Sequence, residues 1–262
     1  MTMKIISGLI SASLMLAAGC ELGIWPDSAQ KSLTAANDAY RADNYSLTVD
    51  EASKAMKSGS ASQKAYEAQY LRGMAMLKLG KTGQAEDDLQ NVSKRAKNLD
   101  LQVRAMDSLA EVYYQQSRFA PAERMFKDVI DNTMPEKQPC DHAQYRLGCI
   151  AQRLGRWQEA DVHLQKVIFL FPNSNYASLA RAVAGSTFWS IQAGVFDSRQ
   201  QVDLAAKKYA NAKLISYVQP VLVDGKLRFV LLFGKWKTWN DADSAMTAHE
   251  QFFKDATIVP AK

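Results

Sequence analysis

A pattern of small and apolar residues recurs about every 37 positions through the middle of the chain. Its anchor is a small residue at Ala36, Gly73, Ala110 and Gly148, with spacings of 37, 37 and 38. Seven positions after each anchor stands a small or helix-breaking residue: Asp43, Gly80, Ser117 and Gly155. Nine positions later comes a residue suited to the second helix: Ala52, Leu89, Phe126 and Leu164. This period predicts pairs of helices joined by a short turn, whose stacking buries a continuous core.

The repeats are placed at 29–64, 66–100, 103–137 and 141–174, with a closing helix over 176–184. Each small anchor is expected to let the first helix of a pair approach the second closely. Several aromatic residues fall inside these helices and are interpreted as packing residues: Tyr113, Tyr114, Tyr145 and Trp157. A generic helical bundle is the alternative architecture.

The helical period ends near residue 187, and strand-like segments follow. Strands are predicted over 187–196, 215–223, 226–233 and 256–259. One helix is predicted to run to about Ala212 and another to span 238–253, the first with Asp197 as N-cap and Gln200 three residues later. Pro220 indicates an edge strand or a bulge, Asp224-Gly225 indicates a hairpin, and Gly234 is expected to end the third strand. The order βαββαβ predicts an α+β ferredoxin-like domain with one sheet face left bare.

The first twenty residues have the pattern of an export signal. Lys4 precedes an apolar stretch over 5–18, which is shorter than the ~20 residues that a spanning helix needs. Leu16-Ala17-Ala18-Gly19-Cys20 resembles the lipobox of bacterial lipoproteins, which implies cleavage before Cys20 and acylation of its sulfur, with palmitate as a typical chain. Several acyl chains anchor a protein stably to a membrane. An ordinary signal peptide with a chance cysteine is the alternative.

These patterns predict a signal peptide over 1–19 and a lipidated tether over 20–28, with the rest on the periplasmic face of the membrane. Glu21 stands where an Asp typically retains lipoproteins in the inner membrane, so the outer membrane is favoured. The odd cysteine count is thereby explained. Cys140 and Cys149 lie nine positions apart on a predicted helix, roughly 13 Å, which is too far for a disulfide.

The repeats over 29–186 resemble tetratricopeptide repeats (TPR), helix–turn–helix units of 34 residues. The resemblance is clearest in Leu109-Ala110-Glu111-Val112-Tyr113 and Leu147-Gly148-Cys149-Ile150-Ala151. It implies an all-α solenoid that recruits a protein partner. The stretch 171–177 is similar to a turn common in envelope TPR lipoproteins.

Residues 187–262 resemble the SPOR (sporulation-related repeat) domain in two segments. These are Trp189-Ser190-Ile191-Gln192-Ala193-Gly194-Val195-Phe196 and Phe229-Val230-Leu231-Leu232-Phe233-Gly234-Lys235-Trp236. The resemblance implies binding to peptidoglycan glycan strands stripped of stem peptides, which concentrate at sites of cell division. Three positions depart from the family pattern: Val195 (usually Ser), Val230 (usually Arg) and Lys235 (usually Pro).

The candidate glycan contacts follow from strand alternation. If Phe229 and its neighbours at alternate positions face the helices, Arg228 faces the bare side and stands in for the arginine missing at Val230. Gln192 is the matched polar residue of the first strand. The complete set of candidates is Gln192, Arg228, Val195, Tyr217 and Gln219. The alternatives are an exposed strand glutamine for Gln192 and a solvated hairpin charge for Arg228.

Composition adds only exclusions. Lys+Arg is 32 and Asp+Glu is 27, a net charge of +5 that is too diffuse to indicate a nucleic-acid partner. The histidines His142, His163 and His249 have no metal-ligand spacing, and His142 and His163 are expected to be exposed to solvent. We expect no catalytic residue, no metal and no cofactor beyond the lipid on Cys20.

Three functions remain at this point. The first is an envelope adaptor that binds peptidoglycan through a SPOR domain and a protein partner through TPR repeats, in cell division or envelope maintenance. The second is an assembly or chaperone lipoprotein for outer-membrane proteins or secretion complexes. The third is a papain-like hydrolase using Cys149 and His163.

Overall fold

The computed structural model describes residues 25–59, 62–223 and 225–262. The predicted signal peptide, Cys20 and the tether up to residue 24 lie outside these ranges. The described residues form two compact units, one ending at Val112 and the other beginning at Tyr113. Within the described ranges, no helix combines the length and the apolar character needed to cross a bilayer.

The first unit is built from helices that pair as the period predicted. They are α1 (Asp27–Arg41), α2 (Tyr45–Ser58), α3 (Gln63–Lys78), α4 (Thr82–Arg95) and the first part of α5 (Leu99–Gln115). Asn44 caps α2 by accepting a hydrogen bond from the backbone N–H of Leu47, 3.2 Å away. Small residues dominate the buried positions of α1 and α2, which lets these helices pack closely: Ala29, Ala36, Ala39, Ala52 and Ala55.

The second unit contains the end of α5, four further repeat helices, and a sheet with its two helices. Its other repeat helices are α6 (Phe119–Asp131), α7 (Cys140–Arg153), α8 (Trp157–Leu170) and α9 (Asn175–Val183). The predicted helical repeats are thus confirmed for the described residues between Asp27 and Val183. Cys140 begins α7, and no disulfide joins Cys140 and Cys149, in agreement with their predicted separation.

The four turn positions that the period singled out share one backbone conformation. Asp43, Gly80, Ser117 and Gly155 have φ angles of 56°, 72°, 59° and 73°. This left-handed region ends a helix and favours glycine, because a Cβ meets the following carbonyl there. The repeat is therefore present in the backbone even where the turn residue is not glycine.

The small anchors lie where paired helices touch. A Cβ added to Gly73 would lie 3.2 Å from Leu89 Cγ, and one added to Gly148 would lie 2.8 Å from Leu164 Cγ. Leu89 and Leu164 are fully buried residues of the partner helices. The close approach predicted for each anchor is thus observed in the two repeats that carry glycine.

A four-stranded antiparallel sheet completes the second unit. Its strands are β1 (Phe188–Phe196), β2 (Ser216–Val223), β3 (Lys226–Trp236) and β4 (Thr257–Ala261), in the order β2-β3-β1-β4. Helix α10 (Arg199–Lys208) and a 3-10 turn (Ala210–Ala212) join β1 to β2, and α11 (Trp239–Ala248) joins β3 to β4. Pro220 lies in β2, an edge strand, as the missing N–H predicted.

Three details of the predicted elements are wrong. Gly234 does not end β3; with φ 65° it forms a bulge, and pairing continues to Trp236. Helix α11 ends at Ala248 rather than at residue 253, because the chain turns to bring the Phe253 ring within 5.2 Å of the Phe233 ring. The capping box of α10 is one residue later than predicted, with Ser198 and Gln201 as partners.

The two faces of the sheet have different surroundings. One face packs against α10 and α11 around a core of Ile191, Val202, Leu231, Phe233 and Phe253. The opposite side, here called the open face, carries a second apolar cluster built from strand residues: Val230, Leu232 and Ala261, flanked by the half-buried Phe188, Tyr217, Val221 and Val259.

Within the second unit, the turn between α7 and α8 packs against the sheet region. The indole N–H of Trp157 donates to the carbonyl of Lys237 at 3.0 Å, and the Trp157 and Trp189 rings lie 5.7 Å apart. The guanidinium of Arg153 lies 3.7 Å from the ring centroid of Trp239. The fourth repeat and the sheet are therefore in direct contact.

Candidate functional site

The strand register places all five candidate contacts on the open face. Gln192 and Tyr217 both pair with Leu232, Val195 and Gln219 both pair with Val230, and Arg228 pairs with Val221. Because paired residues in an antiparallel sheet share a face, these side chains lie on the side of Val230 and Leu232. Their alternating neighbours Phe229, Leu231 and Phe233 pack toward the helices.

Arg228 has a partner that the sequence did not indicate. Its Nη1 atom lies 3.2 Å from a carboxylate oxygen of Asp197, in the loop after β1. The Asp197 side chain is 72% exposed and that of Arg228 is 36% exposed, so water screens this ion pair and it contributes little to stability. The pair places a guanidinium at the hairpin end of the open face.

A hydroxyl network links β1, β2 and β3 at the other end of the open face. The Tyr217 hydroxyl donates to Ser190 Oγ at 2.8 Å, and Ser190 Oγ lies 2.8 Å from the carbonyl oxygens of both Phe233 and Gly234. Partial burial raises the pKa of the Tyr217 phenol, although its hydrogen bond to Ser190 acts in the opposite direction. The network therefore fixes the position of the Tyr217 ring beside the bulge.

Lys235 and Phe188 also belong to this end of the face, and the sequence reasoning missed both. The Lys235 ammonium lies 4.6 Å from the Phe188 ring centroid and 5.0 Å from that of Tyr217. The Phe188 and Tyr217 rings meet edge to face at 6.0 Å. Two signals were available: Phe188 shares the alternation of Ser190 and Gln192, and Lys235 departs from the family pattern.

A second cluster of possible binding groups lies on the repeat helices of the second unit. The Arg146 guanidinium lies 4.5 Å from the Tyr114 ring centroid and 5.8 Å from that of Tyr145, and the Tyr145 and Tyr176 rings lie 5.6 Å apart. Burial is the largest cause that raises the pKa of the Tyr145 phenol. The predicted packing role of Tyr114 and Tyr145 agrees with these contacts.

The surroundings of His142 and His163 differ from the solvent exposure that the sequence predicted. His142 is buried rather than exposed, because its ring packs edge to face on Phe126 at 5.5 Å and lies 5.0 Å from the Tyr176 ring. His163 is half-buried, with Nδ1 2.7 Å from the Gln144 side-chain oxygen, and burial lowers its pKa. Cys149 is a hydrogen-bond partner of Tyr145. Among the residues that the structure describes, no group of His, Cys, Asp or Glu could hold a metal ion.

Comparison with known proteins identifies the repeats. Tetratricopeptide repeat family models match residues 67–98, 103–131 and 142–174. The comparison with curated protein sequences yields no match.

Solved structures show the same kind of fold. A tetratricopeptide repeat protein from Parabacteroides merdae is 18% identical with a TM-score of 0.51, and the match covers 60% of this chain and 59% of that one. Aspartyl phosphate phosphatase F from Bacillus subtilis is 18% identical with a TM-score of 0.53, covering 60% and 45%. MamA from Desulfovibrio magneticus RS-1 is 17% identical with a TM-score of 0.51, covering 60% and 84%. The chain thus spans less than two thirds of the first two structures.

At these identities the likeness concerns the fold alone. This likeness agrees with the segments that the family models match and with the four turns of equal backbone conformation. All three identify the helices as tetratricopeptide repeats. The chain contains tetratricopeptide repeats, a scaffold for protein–protein interaction, followed by a small antiparallel sheet region.

Proposed function

We propose that the chain is an envelope adaptor lipoprotein that binds denuded peptidoglycan through residues 187–262 and recruits a protein partner through its repeats. The observation that carries the proposal is the shared position of Gln192, Val195, Tyr217, Gln219 and Arg228 on the open face. These residues were selected from the SPOR-like segments and from strand alternation, before the strand register was known. Their convergence on one surface is what a glycan-binding site requires.

The sheet topology supports the SPOR assignment. The element order βαββαβ and the strand order β2-β3-β1-β4 are those of the split ferredoxin-like arrangement, with both helices on one face. The two SPOR-like segments become β1 and β3, the central strands. A fold can carry many functions, so the proposal depends on the residues of the open face.

The open face offers the chemistry that sugars need. Half-buried apolar side chains such as Phe188 and Tyr217 can pack on the apolar side of a sugar ring. Amide and guanidinium groups of Gln192, Gln219 and Arg228 can hydrogen-bond hydroxyl and acetamido oxygens. The lipobox at Leu16–Cys20 would hold this site near the cell wall by anchoring the chain to a membrane.

The test is co-sedimentation of the full mature chain, carrying Cys20→Ser to prevent acylation, with amidase-treated sacculi. The chain is expected to sediment with treated sacculi and much less with untreated ones. The double variant Gln192→Ala/Gln219→Ala should lose binding, whereas Gln200→Ala, in α10 on the opposite side of the sheet, should retain it. Equal recovery of the wild-type chain with and without sacculi would contradict the proposal.

A second candidate, assembly or chaperone work mainly through the repeats, is favoured by an apolar patch on α8. Phe169 is 83% exposed and Val162 is 56% exposed, two helical turns apart, beside a cavity of about 460 Å³. Exposed apolar patches of this kind mark protein interaction sites. The measurement is rescue of the envelope defects of cells that lack the protein. Rescue by a chain with all five open-face contacts replaced, together with no rescue by Phe169→Ser, would support this candidate instead.

A further inference from the structure

The position of Lys235 suggests what the open face distinguishes among glycans. Its side chain is exposed, yet its ammonium lies over both the Phe188 and Tyr217 rings. Aromatic faces attract a cation through the ring quadrupole. The positive charge is therefore held at a defined place beside an apolar surface that suits a sugar ring.

A cavity continues this surface at the same end of the sheet. It has a volume of about 530 Å³, and its lining includes Lys213, Tyr217 and Lys235 and the apolar Leu214, Ile215 and Trp236. The bulge at Gly234 interrupts the regular register next to Lys235, and Lys213 adds a second cation to the lining of the cavity. Apolar walls and two ammonium groups suit a ligand that is both ring-shaped and anionic.

Two cationic side chains of β3 lie at the two ends of the open face. Arg228 and Lys235 lie at opposite ends of the open face, about 20 Å apart along the strand. Between them lie the apolar Val230 and Leu232. None of the described residues that the register places on this face is acidic; Asp197, the partner of Arg228, lies in the adjoining loop.

Denuded glycan strands carry negative charges, opposite in sign to those of Lys235 and Arg228. When an amidase removes a stem peptide, water cleaves the amide bond, the peptide leaves with the amine, and muramic acid keeps a free lactyl carboxylate. We infer that Lys235, Phe188 and Tyr217 form a subsite for this carboxylate and its sugar ring. The inference rests on the proposed function and adds that recognition depends on the charge exposed by amidase action.

The experiment compares two soluble ligands on the full mature chain with Cys20→Ser. One is denuded glycan oligosaccharide, and the other is the same preparation with its carboxylates converted to neutral amides by carbodiimide coupling. The wild-type chain is expected to bind the carboxylated ligand about threefold more tightly, the scale of one exposed charge pair. Lys235→Gln should remove this preference, and Lys235→Arg should restore most of it.

Lys207→Gln is the matched control, because Lys207 is an exposed lysine of α10, which packs on the other face of the sheet. It should keep the full preference. Equal wild-type affinity for both ligands, or an unchanged preference in Lys235→Gln, would overturn the inference while leaving glycan binding intact. Absence of binding to either ligand would overturn the proposed function as well. Binding to phosphatidylglycerol vesicles with the same dependence on Lys235 would assign the cation to lipid and also overturn the inference.

Discussion

The indole nitrogen of Trp189 donates a hydrogen bond to the carbonyl oxygen of Gln152 at 2.8 Å. Trp189 lies in β1 and is only 8% exposed, and Gln152 lies near the end of α7. One buried contact thus joins the first strand of the sheet to the fourth repeat.

Replacing Trp189 tests this contact. Trp189→Phe removes a buried hydrogen bond and part of a buried ring, although the Gln152 carbonyl keeps the backbone N–H of Gly155 at 3.0 Å, so the free energy of unfolding should fall by about 1 to 3 kcal/mol. Trp157→Phe removes a similar but exposed hydrogen bond to Lys237, and water can replace it, so less than about 1 kcal/mol should be lost. Urea unfolding of the two variants measures the difference. Equal losses of unfolding free energy in the two variants would show that burial of the Trp189 hydrogen bond does not increase its contribution to stability.

The close helix approach at Gly148 predicts a destabilised variant. In Gly148→Ala the new Cβ would lie 2.8 Å from Leu164 Cγ and Cδ2, so either the buried Leu164 side chain or the two helices of the fourth repeat must shift. The expected cost is about 1 to 3 kcal/mol.

Gly83→Ala is the control for this experiment. Gly83 lies in α4 with nothing within 4 Å of an added Cβ, so alanine should be neutral or stabilising by up to about 1 kcal/mol. Thermal unfolding followed by circular dichroism compares the two. A Gly148→Ala chain as stable as the wild type would show that the crossing is looser than observed.

The Glu123 carboxylate predicts a stability change with pH. Hydrogen bonds from Arg156, 2.7 Å from Glu123 Oε2, lower the pKa of Glu123 from 4.5 to about 2. A depressed carboxyl pKa stabilises the fold above the unfolded value, and this contribution is lost as the pH falls from about 4.5 to about 2.

Glu123→Gln should abolish that contribution. The variant should be about 1 to 2 kcal/mol less stable than the wild type at neutral pH, with allowance for solvent screening, and the gap should close near pH 2. Asp203→Asn, which removes the exposed pair with Arg199, should cost less than about 1 kcal/mol. Urea midpoints across this pH range provide the measurement. A gap that stays constant down to pH 2 would rule out Glu123 as its source.

The Tyr217–Ser190 network predicts energetic coupling. Tyr217→Phe removes the hydroxyl that Ser190 accepts from, and Ser190→Ala removes a group that also lies beside two strand carbonyls. A double-mutant cycle should give a coupling energy of about 0.5 to 1.5 kcal/mol. Additive effects of the two substitutions would mean that the hydroxyls act independently.

The repeats were predictable because their rules are local. A small residue at each helix crossing and a left-handed residue at each turn recur at a fixed distance, and the structure keeps both even at Ser117. The end of α11 was not predictable from local pattern, because it depends on Phe253 joining Tyr209 and Phe233 in the core.

The candidate site was predictable in part for the same reason. Alternation along β1 and β3 placed Gln192 and Arg228 on one face. The group formed by Phe188, Tyr217 and Lys235 comes from three strands, and only the register and the Gly234 bulge bring it together. The burial of His142 likewise depends on Phe126 and Tyr176, which are distant in sequence.

The contact between the α7–α8 turn and the sheet also limits the rotation of the sheet relative to the fourth repeat. Only four residues separate the end of α9 at Val183 from the start of β1 at Phe188, and Trp157 and Trp189 hold the two sides together. A ligand on the open face and a protein on the fourth repeat would therefore keep a constant mutual orientation. A force that pulls on the sheet would therefore reach α7 through these side-chain contacts, without first extending a flexible linker.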